Sequence, residues 1–311
     1  MTLDNKERSG RQNQTWLLTA MAAPLAQTAS GASWLTTALV GAVCLPVCWG
    51  LEWLAEKSRP GKWLCAVQWF WLSLILGEVL QWLKLCWPDS PSALAAPLVL
   101  LLLAAWTAGK GKEQASRAGS VLFWFLTLLL GAVLLSGVKE IRLDNLRPVW
   151  KMQGAHLITV FLIPAMGTSL TGSRRSWRPK AGILMLGILL STVTSGVLSL
   201  KAAAEAPSAF YELSRSLRLL GIAERFESLV AAGMTLGYFA LLSYLLSAGA
   251  AAAEVLRAGK GAWGSWSAAV LSGLFFISGF RLDSAILALG TVLTWVVLPV
   301  LNCLQRNLQK M

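Results

Sequence analysis

Long apolar stretches recur along the whole chain, and they constrain its fold more than any other feature. A transmembrane helix needs about 20 mostly apolar residues to cross a hydrocarbon core of roughly 30 Å. Charges, Pro and Gly separate ten such stretches, at 15–30, 33–54, 63–86, 92–108, 118–138, 154–172, 181–200, 228–250, 262–280 and 284–303. The sequence therefore predicts an all-α integral membrane protein with about ten transmembrane helices.

Composition and charge support a membrane location. Hydrophobic residues make up 56% of the chain and charged residues only 14%, whereas soluble domains carry about 25% charged residues. The net charge of +12 would suggest nucleic acid in a soluble protein, but the basic residues here lie between apolar stretches. Most of them fall on the termini and on the loops at 57–62, 110–117, 174–180 and 257–260, which predicts both termini in the cytoplasm.

The chain divides into a cytoplasmic tail at 1–14, a single permease-like transmembrane domain at 15–305 and a second cytoplasmic tail at 306–311. No secretory signal peptide is expected, because Pro24, Gln27 and Thr28 interrupt the first apolar stretch and no cleavage site follows it. The connection at 201–227 has apolar residues at helical spacing, which predicts an amphipathic helix at about 207–222 lying on the outer surface.

Motifs for enzyme chemistry are missing from the sequence. The stretch Gly109-Lys110-Gly111-Lys112 lacks the glycine spacing and the final Ser or Thr of a phosphate-binding loop. His156 is the only histidine, and no Cys/His cluster of the kind that binds zinc accompanies it. We therefore expect no enzyme, no metal, no cofactor and no nucleic-acid partner.

Two acidic residues fall within the predicted spans, where ionisable groups are costly and default to a functional hypothesis. Glu78 lies in the third span, past its midpoint, and could face a ligand amine, a coupling proton or an Arg of another span. A protonated glutamate with only a packing role is the alternative. Glu52 is nearer a span end, and we expect it to reach the cytoplasmic interface.

Prolines with polar neighbours mark the first and sixth spans as candidates for broken helices. Pro24 is followed by Gln27 and Thr28, and Pro164 by Gly167 and Thr168. Unwound backbone at membrane depth is tolerated where it lines a cavity, and these spans open two five-span halves. The pattern predicts an inverted five-plus-five repeat of the amino-acid permease type with helices one and six broken, although a proline is often only a kink.

Small residues in the eighth span predict close helix packing. Gly233 and Gly237 form a GxxxG motif, which is followed by Tyr238, Ser243 and Tyr244. Helix packing is the ordinary meaning of this spacing, and the hydroxyl groups could also face a ligand.

Four stretches together resemble a known family. They are Pro88-Asp89-Ser90-Pro91, the cytoplasmic Gly111-Lys112-Glu113-Gln114-Ala115-Ser116-Arg117, the stretch Asp144-Asn145-Leu146-Arg147-Pro148, and Pro207 through Glu227 with Arg215, Gly221, Glu224, Arg225 and Glu227. Their order and spacing resemble the spore-germination permeases, which are the B-subunits of nutrient germinant receptors in the amino acid-polyamine-organocation superfamily.

The resemblance implies a ten-span, inverted-repeat permease that binds an amino acid or similar nutrient near the bilayer midplane and triggers germination. It also implies membrane lipid, a receptor A-subunit and a lipoprotein C-subunit as partners, in the spore inner membrane or the bacterial cell membrane. One departure concerns the first span, where the family's glycine-rich stretch is reduced to Ala20-Met21-Ala22-Ala23-Pro24. Ligand binding at this stretch is therefore an open question.

Membrane depth and family likeness together give two sets of candidate site residues. Those for ligand binding are Ala23, Pro24, Gln27, Glu78, Thr159, Pro164, Gly167, Tyr238 and Ser243; those for partner assembly are Arg215, Glu224, Arg225 and Glu227. The leading hypothesis is a germinant-receptor subunit. Its alternatives are a secondary amino-acid transporter coupled to protons through Glu78 and a divergent scaffold without a ligand.

Overall fold

The computed structural model describes residues 3–57, 60–86, 94–146, 154–171, 176–216, 226–257 and 261–308. These residues form helices and contain no β-strand. The helices are α1 (Leu3–Thr28), α2 (Trp34–Lys57), α3 (Lys62–Lys84), α4 (Ala95–Gly109), α5 (Lys112–Val138), α6 (Ala155–Thr171), α7 (Arg178–Leu198), α8 (Leu200–Glu205), α9 (Ala209–Ser216), α10 (Phe226–Arg257), α11 (Gly261–Ile277), α12 (Ser284–Val292) and α13 (Leu298–Leu308). A π-helical turn, Leu293–Val297, joins α12 to α13 without a break.

Six helical stretches are long and apolar enough to cross a membrane: Trp34–Glu56, Lys62–Lys84, Lys112–Val138, Arg178–Leu198, Glu227–Leu256 and Ser284–Gln305. Three shorter apolar helices, Ala95–Gly109, Ala155–Gly167 and Ala262–Ile277, coincide with further predicted spans. Because consecutive helices of this kind follow one another along the chain, the protein is a multi-pass membrane protein.

Helices α1 and α6 are continuous, so the prediction that they are broken is wrong. Pro24 lies inside α1 and Pro164 inside α6. The Thr28 hydroxyl donates to the Pro24 carbonyl at 2.7 Å, and the Ala29 N–H donates to the Leu25 carbonyl at 2.8 Å. A proline removes one backbone donor, and Thr side chains or neighbouring helices satisfy the groups it releases. Helical hydrogen bonding therefore continues past Pro24 in α1, and α6 is helical on both sides of Pro164.

The first helix is also longer than predicted. Its 26 residues reach about 39 Å at 1.5 Å per residue, and they include most of the predicted tail at 1–14. The polar part of α1 is held by α5, since the Thr15 and Ser120 hydroxyl oxygens are 2.9 Å apart. The apparent shortness of the first span arose because these polar residues were assigned to a tail.

Helices α1 and α10 form the centre of the bundle. Residues Ala20, Met21, Leu25 and Ala26 of α1 have no exposed surface, and α10 is the most buried of the long apolar helices. The GxxxG prediction is confirmed: a methyl group on Gly237 would lie 2.8 Å from the Ala23 Cβ, and one on Gly233 would collide with Leu129 of α5. Small residues therefore let α1 and α5 approach α10 closely.

Helices α8 and α9 together cover one end of the bundle, and we refer to them as the cap. The predicted amphipathic helix at 207–222 corresponds to α9, but its apolar face is packed against the bundle. Phe210 and Leu213 are 1% and 0% exposed, while Leu217 and Leu220 lie outside the described residues. The described part of the predicted helix therefore docks onto the bundle through its apolar face.

Candidate functional site

A cavity of about 450 Å³ lies beneath the cap, and we refer to it as the vestibule. Its walls are the cap itself, the ends of α1 and α3, and the beginnings of α6 and α12. The lining residues include Gln27, Thr28, Gly31, Trp82, Leu85, His156, Ala203, Pro207, Ala209 and Ser284. The vestibule is thus the place where α1 and α6 meet at one end of the bundle.

Gln27 connects the end of α1 to the cap. Its Nε2 donates to the Pro207 carbonyl at 2.9 Å, and the Ser208 hydroxyl donates to its Oε1 at 2.9 Å. This predicted ligand residue therefore lies in the vestibule wall, with both ends of its amide already occupied by cap residues.

Two predicted ligand residues, Thr159 and Tyr238, lie deeper in the bundle. Thr159 is three residues beyond His156, so it occupies the same face of α6 about one helical turn below the vestibule. Ala23 is correspondingly one turn below Gln27 on α1, and it packs against Gly237 beside Tyr238. We refer to Ala23, Thr159 and Tyr238, which lie at a similar depth on α1, α6 and α10, as the niche.

The niche contains polar atoms without partners. Thr159 and Tyr238 are both 0% exposed, and neither hydroxyl has a hydrogen-bond partner within the part of the chain that the structure describes. The same holds for Nδ1 of His156 above them. A buried polar group left unpaired costs about 1–3 kcal/mol, and a hydroxyl can both donate and accept. The niche can therefore hydrogen-bond either a carboxylate or an amine.

Below the niche, aromatic side chains close the bundle. Trp16 lies about two turns before Ala23 on α1, and its ring meets that of Tyr244 edge to face with centroids 5.1 Å apart. The absence of side chains at Gly119 and Gly167 makes room for Trp16 and Tyr244, respectively. We refer to Trp16, Gly119, Gly167 and Tyr244 as the plug.

Three further predicted ligand residues have packing roles. The Pro164 carbonyl accepts a hydrogen bond from the Tyr244 hydroxyl at 3.4 Å, and Gly167 accommodates the same tyrosine. Pro24 is buried inside α1, where its carbonyl accepts from Thr28. Each of them shapes α1, α6 or the plug.

Ser243 and Glu78 lie on other surfaces of their helices. The Ser243 hydroxyl donates to the Ala240 carbonyl within α10 at 2.9 Å. Glu78 of α3 lies within electrostatic range of Arg281, which is in the connection between α11 and α12. Arg281 also donates to Oε1 of Gln81, one turn from Glu78, at 3.3 Å. The role of Glu78 stays a prediction.

A buried ion pair links α2 to α7. The Lys180 ammonium group donates to Oε2 of Glu52 at 2.7 Å and to the Ser176 carbonyl at 2.9 Å. Both charged side chains are only 2% exposed. The expectation that Glu52 reaches the interface is therefore wrong, because a neighbouring helix supplies its counter-charge.

The residues assigned to partner assembly form a link inside the chain where they are described. Arg215 of α9 lies 3.3 Å from Glu227 at the start of α10 and 3.6 Å from Glu212. Glu224 and Arg225 lie outside the described residues, as do the motif residues 88–91, 147–148 and 221. The assembly role stays a prediction.

Several residues of this region were not selected from the sequence. Lys180 was counted with the basic loop before α7, and Trp16 was one of many tryptophans near span ends; Tyr244 was named only as a hydroxyl of the eighth span that could face a ligand. For Lys180 a signal did exist: it and Glu52 are opposite charges at span ends on the same predicted side of the membrane. For Trp16 no comparable signal exists.

Comparisons with known proteins support the fold. No protein-family model matches the sequence, and no curated protein matches it either. Among solved structures, the chain is similar to the crystal structure of MhsT in complex with L-phenylalanine, with a TM-score of 0.55 and 14% sequence identity. The match covers 93% of this chain and 86% of MhsT. At this identity the similarity establishes a shared helical membrane-protein fold.

Proposed function

We propose that the protein binds a small amino acid in the niche and carries it across the membrane. The observation that carries this proposal is the pair of fully buried, unpartnered hydroxyls, Thr159 and Tyr238, one helical turn beneath an open vestibule. The shared fold adds support, because the MhsT structure contains L-phenylalanine. The proposed role involves no catalytic chemistry.

The arrangement suggests how access to the niche is divided. The vestibule gives a route from the cap side, while the plug closes the opposite side. Transport then requires the ring of Tyr244 to leave Gly167 and Trp16, so that the niche opens away from the cap. In this scheme Glu78 and Arg281 are a candidate proton-coupling pair beside the vestibule.

Ligand binding is tested by thermal unfolding of the purified protein with each standard amino acid at millimolar concentration. A ligand at 100 times its Kd stabilises the native state by about 2.7 kcal/mol, so a binder raises Tm. The double variant Thr159→Val with Tyr238→Phe should lose that increase. Ser243→Ala is the matched control, because its hydroxyl is already bonded within α10.

Transport is tested separately by uptake of the radiolabelled amino acid into proteoliposomes. Accumulation driven by an imposed proton gradient, and its loss in Glu78→Gln, would support a coupled transporter. Binding without uptake would favour a sensor, and the absence of any Tm increase would overturn the proposal and favour a scaffold.

We further propose ten membrane spans, formed by α1 to α7, α10, α11 and the continuous α12–α13 rod, as an inverted repeat of five plus five with both termini in the cytoplasm. The positive-inside distribution of Lys and Arg supports this orientation. Reporter fusions at each terminus and in the cap test it: cytoplasmic reporters should be active at both termini and inactive in the cap.

A germinant-receptor subunit is the second candidate function, and it rests on the sequence resemblance. Two of the resembling motifs contain ion pairs: Arg117 lies 2.6 Å from Glu113, and Arg215 binds Glu227. If this candidate holds, the protein should co-purify with a receptor A-subunit and a lipoprotein C-subunit from spore inner membranes. Arg215→Ala should reduce that recovery, and normal recovery would remove Arg215 from the assembly surface.

A further inference from the structure

Another cavity lies at the end of the bundle opposite the cap, and we refer to it as the distal pocket. Helix α10 begins beside the cap, where Arg215 binds Glu227, and residues between 247 and 255 near its other end line the pocket. The end of α4 and the beginnings of α5 and α11 complete the walls. The volume is about 410 Å³, which is within the usual range for sites that bind small molecules.

Small residues make the room in the distal pocket. Those that line it are Ala108, Gly109, Ala250, Ala251 and Ala262. Beside them, a methyl group on Gly264 of α11 would collide with Ala253 of α10, so these two helices are already in close contact. The pocket is therefore bounded by tightly packed helices, and its space comes from the short side chains of its walls.

The turn between α4 and α5 places a lysine at the distal pocket. Only Lys110 and Gly111 separate the two helices, and the φ of Gly111 is 107°, a conformation that favours glycine. The Lys110 ammonium lies 3.4 Å from the centroid of the Trp106 ring, and this cation–π contact holds the turn against α4. Lys112 then begins α5 and lines the pocket.

Opposite charges line the distal pocket. Among the described residues of its lining, Lys112 and Glu254 are the charged ones. An ammonium group has three donors and a carboxylate has two acceptor oxygens, so each can bind a ligand group in addition to a contact within the protein. An anion alone would be repelled by Glu254 and a cation alone by Lys112, whereas a ligand that carries both charges is attracted by both residues.

Tryptophans beside the distal pocket mark its depth in the membrane. Trp106 lies in the last turn of α4, and Trp263 and Trp266 lie in the first turns of α11. All three are exposed, and exposed indoles in membrane proteins concentrate at the level of the lipid head groups. The distal pocket is therefore accessible both to lipid head groups and to solutes of the adjacent aqueous phase.

We propose that the distal pocket binds a small zwitterion with a primary ammonium group and an anionic oxygen group. The ammonium group donates to the Glu254 carboxylate, and the anionic group accepts from the Lys112 ammonium. Phosphatidylethanolamine head groups and free amino acids share this chemistry. The bound ligand joins the turn between α4 and α5 to α10. This inference does not depend on amino-acid binding in the niche.

The test uses the full-length protein with Thr159→Val and Tyr238→Phe, so that binding in the niche does not contribute. The probes are glycerophosphoethanolamine, which is the water-soluble head group of the lipid, and each standard amino acid. Ethanolamine and glycerol phosphate are the controls that carry one of the two charged groups. We expect a zwitterionic probe to raise Tm and to slow amide hydrogen exchange at residues 109–114, and the controls to do so much less.

The result identifies the source of the ligand. Protection by glycerophosphoethanolamine alone would support the proposal with a lipid head group as the ligand, and protection by an amino acid alone would support it with a free solute. Protection by both would show that the shared chemistry is sufficient. Protection by neither, or equal protection by ethanolamine or glycerol phosphate, would overturn the proposal.

Charge variants assign the binding to the two residues. Lys112→Gln and Glu254→Gln should each weaken the apparent affinity for the effective probe by about three- to tenfold, because each removes one charge-assisted hydrogen bond at a partly exposed position. Glu113→Gln is the matched control, since Glu113 lies outside the lining and pairs with Arg117 at 2.6 Å. It should leave the affinity unchanged, and an equal loss in this control would overturn the proposal.

Exchanging the two charges gives a sharper test. Lys112→Glu combined with Glu254→Lys keeps one charge of each sign at the distal pocket. The double variant should therefore retain more affinity for the zwitterion than either single reversal, which leaves two like charges there. If the double variant loses as much affinity as the single reversals, the two residues do not bind the same ligand, and the proposal fails.

Discussion

Two groups of buried polar side chains lie within this bundle, and their hydrogen bonding differs sharply. Lys180 and Glu52 satisfy one another, and Lys180 also reaches a backbone carbonyl. Thr159 and Tyr238 are as deeply buried, yet their hydroxyls have no partner among the described residues. A pair of charges that the fold fully satisfies is structural, whereas buried neutral groups without a partner keep their hydrogen-bonding capacity.

The largest loss of stability should come from breaking the ion pair between Lys180 and Glu52. Lys180→Met leaves the Glu52 carboxylate buried without a counter-charge, which costs about 3–5 kcal/mol. We expect a large fall in Tm and in the yield of monodisperse protein on size-exclusion chromatography. The double variant Glu52→Leu with Lys180→Met should recover most of the stability, because an apolar pair of similar volume needs no partner. An unchanged Tm for Lys180→Met would show that water reaches the pair.

The next largest effect should come from overpacking the plug. Gly167→Ala forces a methyl group into the ring of Tyr244, and overpacking of this kind costs about 1–3 kcal/mol. Combining it with Tyr244→Leu should restore part of the loss. Gly131→Ala in α5 is the matched control, since a methyl group there meets nothing within 4 Å. Equal Tm changes for the two single variants would contradict the tight contact at Gly167.

A smaller effect is expected where α1 meets the cap. Gln27→Leu removes both hydrogen bonds to the cap, each worth about 0.5–1.5 kcal/mol or less at this partly exposed position. We expect faster amide hydrogen exchange in α9 with little change in global Tm. Gln27→Glu keeps an acceptor for Ser208 and loses the donor to Pro207, so its effect should be intermediate. Unchanged exchange in both variants would show that α9 is held by its apolar face alone.

The smallest effect is expected in the niche without ligand. Tyr238→Phe removes a hydroxyl that has no partner, so the free energy of unfolding should stay within about 0.5 kcal/mol of its original value or increase. Tyr244→Phe is the matched control, because it removes the hydrogen bond to the Pro164 carbonyl and should lower stability by about 0.5–1.5 kcal/mol. If Tyr238→Phe costs as much as Tyr244→Phe, the contrast between the two buried groups disappears.

Much of the fold could be predicted from the sequence because lipid imposes a fixed length on apolar helices. The GxxxG packing of α10 could be predicted for a similar reason, since small residues have one common use between such helices. Hydropathy could not give the length of α1, whose polar first turns are held by contacts with α5. Hydropathy also could not show that α1 and α6 continue through Pro24 and Pro164, because the hydrogen bonds of the turns around these prolines involve other residues.

The candidate site was predicted less completely. Thr159 and Tyr238 were selected by membrane depth and family likeness, and the structure shows that both are fully buried. Pro164, Gly167 and Ser243 were selected in the same way but have packing roles, because a helix that is apolar all round carries no pattern that fixes which face meets a ligand. Lys180 and Glu52 are 128 residues apart in the chain, and only the folded arrangement of α2 and α7 shows that they pair.

The amide of Gln27 has a mechanical consequence. This amide joins α1 to the cap. It lies one helical turn from Ala23 of the niche. Rotation of α1 about its own axis must therefore either break the two hydrogen bonds of Gln27 or move α9 together with α1. A displacement of α1 within the bundle is in this way transmitted to the cap at the end of the molecule.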